Sequence, residues 1–215
     1  MSGPAPRRGR IAAAFLHWLE AGGERVGEIV IRSNPRGGYR LTHHEEADLP
    51  PGAFAALETF HRPEDARQIA LSDDAGEYRP LKSAANLRHG WRLELDGPEA
   101  LCRAIEFLYP TLTGIWLARE EGRLAVVALR ATLERQSGMY AVTRRATRAG
   151  AEAAMARCCR NPRAGCLRTI LWEIEPGHPA PVPEGAESGS EGLPLLCPEA
   201  CNLLVAAIRE EVKSK

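Results

Sequence analysis

Residues 197–204 read CPEACNLL, and this stretch decides how the C-terminal part of the chain is organised. A proline followed by an acid is typical of the first turn of a helix, so the stretch predicts a helix capped by Cys197. Cys201 would then lie one turn above Cys197 on the same face, with both sulfurs directed at one body. Because the N-terminus of a helix stabilises thiolates through its unpaired N–H groups and partial positive charge, the stretch predicts a metal centre.

The cysteines cluster around this stretch, whereas Cys102 stands alone in an apolar segment. In a reducing compartment, clustered cysteines are more often metal ligands or redox centres than disulfides. Zinc ribbons need a C-x2-C knuckle at both ends, which the spacing lacks, whereas iron–sulfur clusters tolerate irregular spacing. We therefore expect a [4Fe–4S] cluster, with structural zinc and buried free thiols as the alternatives. The candidate ligands are Cys158, Cys159, Cys166, Cys197 and Cys201.

Five thiols compete for the four iron corners of such a cluster. We expect Cys166, Cys197 and Cys201 to be ligands, with either Cys158 or Cys159 in the fourth position. Adjacent side chains at the end of a helix diverge by about 100°, so one member of the pair faces the cluster and the spacing does not say which. A substrate-binding cluster needs an open iron corner, so the excess of thiols predicts full ligation and a role in electron transfer or partner regulation.

The charge distribution fits a negative cluster. Lys and Arg balance Asp and Glu at 28 each, so the net charge of the chain does not attract it to nucleic acid or anionic lipid. Residues 130–168 nevertheless contain nine arginines and two acids, and the residues after 168 contain eight acids and three bases. We expect these segments to attract each other, and we expect the arginines nearest the cysteines to offset the charge of the cluster. These arginines are Arg157, Arg160, Arg163 and Arg168.

The hydrophobic pattern predicts an α+β protein. It predicts helices over residues 11–19, 51–60, 63–71 and 98–109, strands over residues 26–33, 39–44 and 91–95, and a helix or long strand over residues 124–135. Further along it predicts a helix over residues 143–159 that Asn161-Pro162 ends, a strand over residues 167–172 and a loop over residues 176–194. We expect a mixed α+β domain at residues 10–137 and a small cysteine-rich metal-binding domain at residues 138–215.

Three other groups of side chains carry ligand or charge chemistry. The His43-His44-Glu45-Glu46 run is predicted to be a polar strand end, because adjacent histidines on a strand point to opposite faces. Arg79, Lys82 and Arg88 could bind carboxylates, although surface ion pairs explain them more simply. His178 is predicted to be a solvent-exposed loop residue. The sequence has no phosphate-binding loop, nucleophile elbow or H-E-x-x-H motif, so nucleotide-driven and hydrolase functions lack support.

The apolar segments are short. The longest, residues 124–129 and 203–208, fall far below the ~20 residues that a membrane helix needs. The first residues include arginines but nothing that resembles the cleavage site of a secretory signal peptide, so we expect a cytoplasmic protein.

Four stretches together resemble a known family. They are residues 78–91 (YRPLKSAANLRHGW), Tyr109-Pro110, residues 135–140 (RQSGMY) and the cysteine arrangement of residues 158–201. From about residue 10 to residue 210, the chain resembles the iron–sulfur (4Fe-4S) region and the stabilising domain of CbiX-like, sirohydrochlorin-chelatase-type proteins. The resemblance implies a [4Fe–4S]-binding domain after a stabilising domain. The metal-inserting histidines of a chelatase-like domain have no counterpart in this sequence.

The cysteines and the resemblance together define two functional hypotheses. The first is a [4Fe–4S] redox or accessory protein linked to tetrapyrrole (cobalamin or siroheme) biosynthesis. The alternative is a zinc- or cluster-stabilised protein-interaction module without chemistry of its own. The expected partner is a separate chelatase-type protein or a redox protein, and neither nucleic acid nor a membrane. The sequence leaves open whether the chain is itself an enzyme.

Overall fold

The structure, a computed structural model, describes residues 7–71, 87–159, 166–181 and 192–214. These residues form two compact units: the first contains residues 7–71, 87–123 and 192–194, and the second contains residues 124–159, 166–181 and 195–214. The expected domain boundary after residue 137 lies inside the second unit. The reason is that Leu129 and Leu133 are fully buried members of the hydrophobic core of that unit.

A five-stranded sheet forms the centre of the first unit. Its strands are β1 (Arg25–Val26), β2 (Ile29–Ser33), β3 (Tyr39–His43), β4 (Glu58–Phe60) and β5 (Trp91–Leu95). The order is β1-β2-β3-β5-β4, with all neighbours antiparallel except β4 and β5, which are parallel. Buried and half-buried residues alternate along β5, as expected of a strand with one face on the core.

Helices cover the apolar face of this sheet. The helices are α1 (Arg7–Glu20), α2 (Pro51–Ala55), α3 (Ala66–Leu71), α4 (Gly97–Leu108) and α5 (Leu112–Glu120), with 3₁₀ turns at His44–Glu46 and Pro63–Asp65. Phe15 of α1, Ile69 of α3 and Ile105 of α4 are completely buried. In the described part of the chain, no helix has the length and apolarity needed to cross a bilayer.

Asn34 holds the turn of the β2–β3 hairpin. Its side-chain oxygen accepts hydrogen bonds from the N–H groups of Arg36 and Gly38, both at 2.9 Å. Its amide nitrogen lies 3.3 Å from the Tyr39 carbonyl oxygen and 3.4 Å from that of Leu95 in β5. One buried side chain therefore fixes the turn and ties it to the next strand, as Asx turns do.

The first unit differs from the sequence-based expectation in several elements, and the strand predicted over residues 26–33 is divided into β1 and β2. The helix predicted over residues 51–60 ends at Ala55, and Glu58–Phe60 forms β4. Local periodicity does not indicate this strand, because its partner β5 lies far along the chain. The strand predicted to reach His44 ends at His43 and continues as a 3₁₀ turn. The two rings therefore stack, with centroids 4.7 Å apart, instead of pointing to opposite faces. Helix α5 was not predicted.

The second unit is mainly helical. It contains α6 (Leu129–Glu134), a 3₁₀ helix at Gly138–Arg145, α7 (Arg148–Cys158), α8 (Asn202–Lys213), and the short strands β6 (Thr169–Ile170), β7 (Glu173–Glu175), β8 (His178–Pro179) and β9 (Leu196–Cys197). Strand β6 pairs parallel with β9, and β7 pairs antiparallel with β8. The α+β class predicted from the sequence is thereby confirmed.

Helix ends account for the differences in this unit. The helix predicted over residues 143–159 begins at Arg148, because Thr147 caps it by accepting a hydrogen bond from the Gly150 N–H at 3.2 Å. The segment predicted as a helix or long strand over residues 124–135 is irregular before Leu129. The strand predicted over residues 167–172 is reduced to Thr169–Ile170. Asn161-Pro162 and residues 182–191 of the predicted loop lie outside the described residues.

The hairpin turn gives a stability prediction with a matched control. A methyl group added at Gly38 would collide with the backbone carbonyl oxygen of Leu95, whereas one added at Gly52 meets nothing within 4 Å. We expect Gly38→Ala to lower the free energy of unfolding by roughly 1–3 kcal/mol, the usual range for overpacking. Gly52→Ala should leave it unchanged or raise it slightly. Urea unfolding followed by tryptophan fluorescence measures both, and equal midpoints for the two variants would contradict the packing described.

Candidate metal centre

Three segments of the second unit carry the five candidate cysteines. Cys158 is the last residue of α7 and Cys159 follows it in an extended conformation. Cys166 precedes β6, and Cys197 ends β9. Cys201 is the N-cap residue of α8. Cys159, Cys166 and Cys197 are each less than a tenth exposed, so most of the thiols are held in the core.

The local structure around Cys197 and Cys201 differs from the predicted helix start. Helix α8 begins at Asn202, so Cys201 is its cap and Cys197 lies in β9, which pairs with β6 through Ile170. Prolines usually mark the first turn of a helix, but Pro198 lies outside α8, in a turn where the Cys197 Sγ is 3.1 Å from the Glu199 carbonyl oxygen. The helix N-terminus still lies beside Cys201, where its partial positive charge favours a thiolate.

Electrostatic coupling shows that the thiols lie near one another. Burial raises the pKa of the Cys197 thiol, and negative charge on Cys201 and Cys166 raises it further. The pKa of Cys159 is also far above its ordinary value, because its thiol hydrogen-bonds Cys158, is buried, and faces charge on Cys158, Cys166 and Cys201. Several thiolates packed this closely repel one another unless a cation neutralises them. The arrangement therefore suits a positively charged metal body.

The adjacent pair is not equivalent. Cys158 Sγ lies 3.1 Å from the Ala154 carbonyl oxygen one turn back in α7 and 3.9 Å from Cys159 Sγ. The hydrogen bond from Cys159 lowers the pKa of Cys158, with a smaller contribution from Arg157. Cys159 is the more deeply buried of the two and is the one that senses the charges of Cys166 and Cys201. Cys159 is thus the member of the pair that lies towards Cys166 and Cys201.

Two buried donors beside Cys197 test whether the site fits a cluster. Arg168 Nε is buried and has no hydrogen-bond partner among the described residues, and Trp172 Nε1 is buried beside the Cys197 sulfur without forming a well-aligned hydrogen bond to it. Both groups lower the pKa of Cys197, which places them next to its sulfur. Buried N–H groups nearly always find an acceptor. The sulfide and thiolate sulfurs of an iron–sulfur cluster accept N–H hydrogen bonds, so these donors fit that group.

The spacing of the sulfurs argues against a single zinc ion. With Zn–S bonds of about 2.3 Å, a tetrahedral zinc site holds its sulfurs about 3.8 Å apart. In the described part of the chain, the groups of three or more potential ligands whose donor atoms lie within 4.8 Å of one another contain no cysteine. A four-iron body binds each thiolate to a different iron and so needs them farther apart. The donor set fits a [4Fe–4S] cluster better than zinc.

Ion pairs join the basic and acidic segments of the second unit as the sequence predicted. Arg130 contacts Glu175 and Arg157 contacts Glu211, each with an N–O distance of 2.9 Å, and Arg135 pairs with Glu199. Arg157 is therefore largely engaged by Glu211. Arg168 lowers the pKa of Cys197, as Arg157 lowers that of Cys158. Arg160 and Arg163 lie outside the described residues.

The other candidates stand apart from this site. Arg79 and Lys82 lie outside the described residues, and Arg88 pairs with Glu58 at 2.8 Å in the first unit. His178 is exposed, as predicted. Cys102 lies in α4 of the first unit. The sequence reasoning missed a role for Trp172, although an indole at the end of the strand predicted over residues 167–172, close to Cys166, was a detectable signal.

Comparisons with known proteins agree with this geometry. Residues 121–210 match a family described as a 4Fe-4S iron-sulfur cluster binding domain, which confirms the predicted [4Fe–4S] cofactor. A comparison with curated protein sequences gives no match. Among solved structures, the chain is similar to DR2241 from Deinococcus radiodurans, with 32% sequence identity and a TM-score of 0.78. That protein is described as a multi-domain protein with structural similarity to chelatases and two additional novel domains.

The match to DR2241 covers 100% of this chain and 44% of that protein, so this chain spans less than half of its length. The resemblance to the iron–sulfur and stabilising-domain region of chelatase-type proteins is confirmed. Residues 11–121 match the DR2241 stabilising domain, which is more than half of the chain. The protein therefore belongs to the DR2241 stabilising-domain family, and in this chain that domain is followed by a 4Fe–4S cluster-binding domain.

Proposed function

We propose that this protein is a [4Fe–4S] redox or accessory protein that acts beside a chelatase-type enzyme of tetrapyrrole (cobalamin or siroheme) biosynthesis in the cytoplasm. The observation that carries the proposal is the convergence of buried cysteines with two buried N–H donors, those of Trp172 and Arg168, beside Cys197. The likeness to DR2241, which has structural similarity to chelatases, supports the link to tetrapyrroles. Its partner would be a separate chelatase-type protein or an electron-transfer protein.

We assign the four ligands to Cys159, Cys166, Cys197 and Cys201. When bound, a [4Fe–4S] cluster exchanges single electrons. Trp172 and Arg168 hold N–H donors beside Cys197, where they stabilise negative charge on sulfur and so favour the reduced state. Because Leu129, Leu204 and Ile208 belong to the same buried core as Cys159 and Cys197, they keep water from that side of the site.

Full ligation supports electron transfer or partner regulation over catalysis at the cluster. A cluster that binds substrate keeps one iron without a protein ligand. Here charge on Cys166 and Cys201 raises the pKa values of both Cys159 and Cys197, and a fifth thiol, Cys158, lies 3.9 Å from that of Cys159. With a thiolate for every iron, the chain has no need of an external ligand.

A protein-interaction module is the second candidate, because Cys159 and Cys197 are part of the hydrophobic core. A metal held there would add its binding free energy to folding, whether or not it carried electrons. The two candidates differ in whether the reduced state is accessible. Reversible reduction of the cluster supports the redox proposal, and a cluster that is lost or destroyed on reduction supports the interaction module.

Serine variants test the ligand assignment. We expect Cys159→Ser, Cys166→Ser, Cys197→Ser and Cys201→Ser each to lose most of the iron and sulfide, because serine is a poor ligand for this soft metal body. Cys158→Ser and Cys102→Ser should retain them. Iron and sulfide analysis of anaerobically purified protein, together with absorption near 400 nm, measures the result. The matched comparison is Cys158→Ser against Cys159→Ser, and retention by Cys159→Ser with loss by Cys158→Ser would reverse our choice.

The Trp172 donor gives a prediction about reduction potential. Trp172→Phe removes one N–H group beside Cys197 and keeps an aromatic ring in the core, so we expect a more negative midpoint potential. Trp116→Phe changes a half-buried indole in α5 of the first unit and serves as the control. Spectroelectrochemical titration of the loaded proteins measures both potentials. An unchanged potential in Trp172→Phe would show that its N–H does not contact the cluster.

Spectroscopy tests the absence of substrate coordination. We expect the electron paramagnetic resonance signal of the reduced protein to stay the same when sirohydrochlorin is added, because thiolates occupy every iron. Excess cyanide, a small external ligand, provides a second test, because it would bind an iron that lacks a protein ligand. A signal that shifts with sirohydrochlorin would demonstrate direct coordination and would replace the accessory role with a catalytic one.

A further inference from the structure

The first unit contains a second group of potential metal ligands, which the cluster does not use. One donor atom each of Glu28, His43 and His44 lie within 4.8 Å of one another. His43 is 2% exposed and Glu28 is 8% exposed. A buried carboxylate beside two imidazoles is a donor set that suits first-row transition metals.

The backbone brings these residues together. Glu28 directly precedes β2, and His43 pairs with Ile29 at the end of β3. The His44 N–H donates to the Glu28 carbonyl oxygen at 2.7 Å, so the 3₁₀ turn begins against the start of β2. The His43 and His44 rings consequently stack on one side, where a regular strand would separate them.

The Glu28 carboxylate is oriented by other groups. The carboxylate Oε2 accepts a hydrogen bond from the Leu87 N–H at 2.6 Å. The backbone N–H of Glu28 donates to the Tyr109 hydroxyl at 3.0 Å, which fixes the main chain at this residue. These bonds leave Oε1 at 3.7 Å from His43 Nε2. That distance is too long for a hydrogen bond. It is nevertheless suitable for two ligands of one ion, because donor atoms at about 2.0–2.2 Å from a metal lie roughly 3–4 Å apart.

A second group shares His43 but is built differently. Glu45 and His89 also have donor atoms within 4.8 Å of a His43 nitrogen. Both side chains are exposed, and they pair with each other at 3.1 Å. The Glu45 carboxylate is exposed and lacks a buried hydrogen bond like the one that Glu28 Oε2 accepts from the Leu87 N–H. The Glu28 group is therefore the better organised of the two, since ligands in metal sites are held by hydrogen bonds from behind.

We propose that Glu28, His43 and His44 bind one divalent transition-metal ion, of the Zn²⁺ or Ni²⁺ kind, at the end of β3. The ion takes the Oε1 of Glu28 and the Nε2 of His43. Binding through Nε2 places the His43 proton on Nδ1, so the long 3.3 Å hydrogen bond from the Glu45 N–H is given up. The site is independent of the iron–sulfur cluster and of the function proposed for it.

Calorimetric titration of Ni²⁺ into the full chain, purified anaerobically with its cluster in place, tests this site. We expect one Ni²⁺ per chain, confirmed by elemental analysis after gel filtration. Glu28→Gln and His44→Gln should each weaken binding by about tenfold or more, as loss of a ligand or of its support does. His17→Gln, at an exposed position of α1, is the matched control and should bind like the wild type.

Two different substitutions are used so that misfolding of one variant does not decide the result. Glu28→Gln keeps a carbonyl oxygen for the Leu87 N–H, and His44 is only half-buried, so at least one variant should retain the wild-type circular dichroism and cluster absorption. Failure of the wild type to bind Ni²⁺, or binding by both folded variants equal to that of His17→Gln, would overturn the site. Loss of binding in His89→Gln with none in His44→Gln would also overturn it, because the ion would then lie at the exposed group.

Discussion

Burying an N–H group without an acceptor destabilises a protein by ~1–3 kcal/mol, and the second unit buries such a group on Arg168 together with the indole N–H of Trp172, whose near acceptor is the Cys197 sulfur. In the same core, Cys159 and Cys197 sit among leucine and isoleucine side chains. These donors and thiols are unfavourable in an apolar core by themselves. A bound cluster removes this cost, because its iron ions neutralise the thiolates and its sulfurs accept hydrogen bonds from the N–H donors. The core of this unit is thus organised around a group that is not polypeptide.

The charges of the second unit follow from the same requirement. Its basic residues and its acidic residues come from different segments, and the pairs of Arg130 with Glu175 and Arg157 with Glu211 join them. Exposed ion pairs contribute little to stability individually. Arg157 also acts on Cys158, and Arg168 acts on Cys197, which we assign as a ligand. Positive charge thus lies near both of these thiols.

The sequence predicted the elements whose signals are local. The β2–β3 hairpin, α4 and the α+β class follow from periodicity and turn residues, and the cysteine spacing alone favoured a cluster over zinc. The sequence-based prediction failed where an element depends on a partner far away in the chain. Strand β4 forms because it pairs with β5, and Cys197 lies in a strand because β9 pairs with β6. The choice between Cys158 and Cys159 was open for the same reason, since only folding shows which thiol senses Cys166 and Cys201.

The histidines show how a correct rule can give a wrong expectation. Side chains alternate along a strand, so His43 and His44 were expected on opposite faces, yet the strand ends between them and their rings stack. A change from strand to 3₁₀ helix at one residue converts a polar strand end into a convergent donor set. Glu28 joins that set only because β2 pairs with β3 in this register. Borderline imidazole nitrogens and a carboxylate oxygen come together in the first unit and soft thiolate sulfurs in the second, so the two donor sets suit different classes of metal.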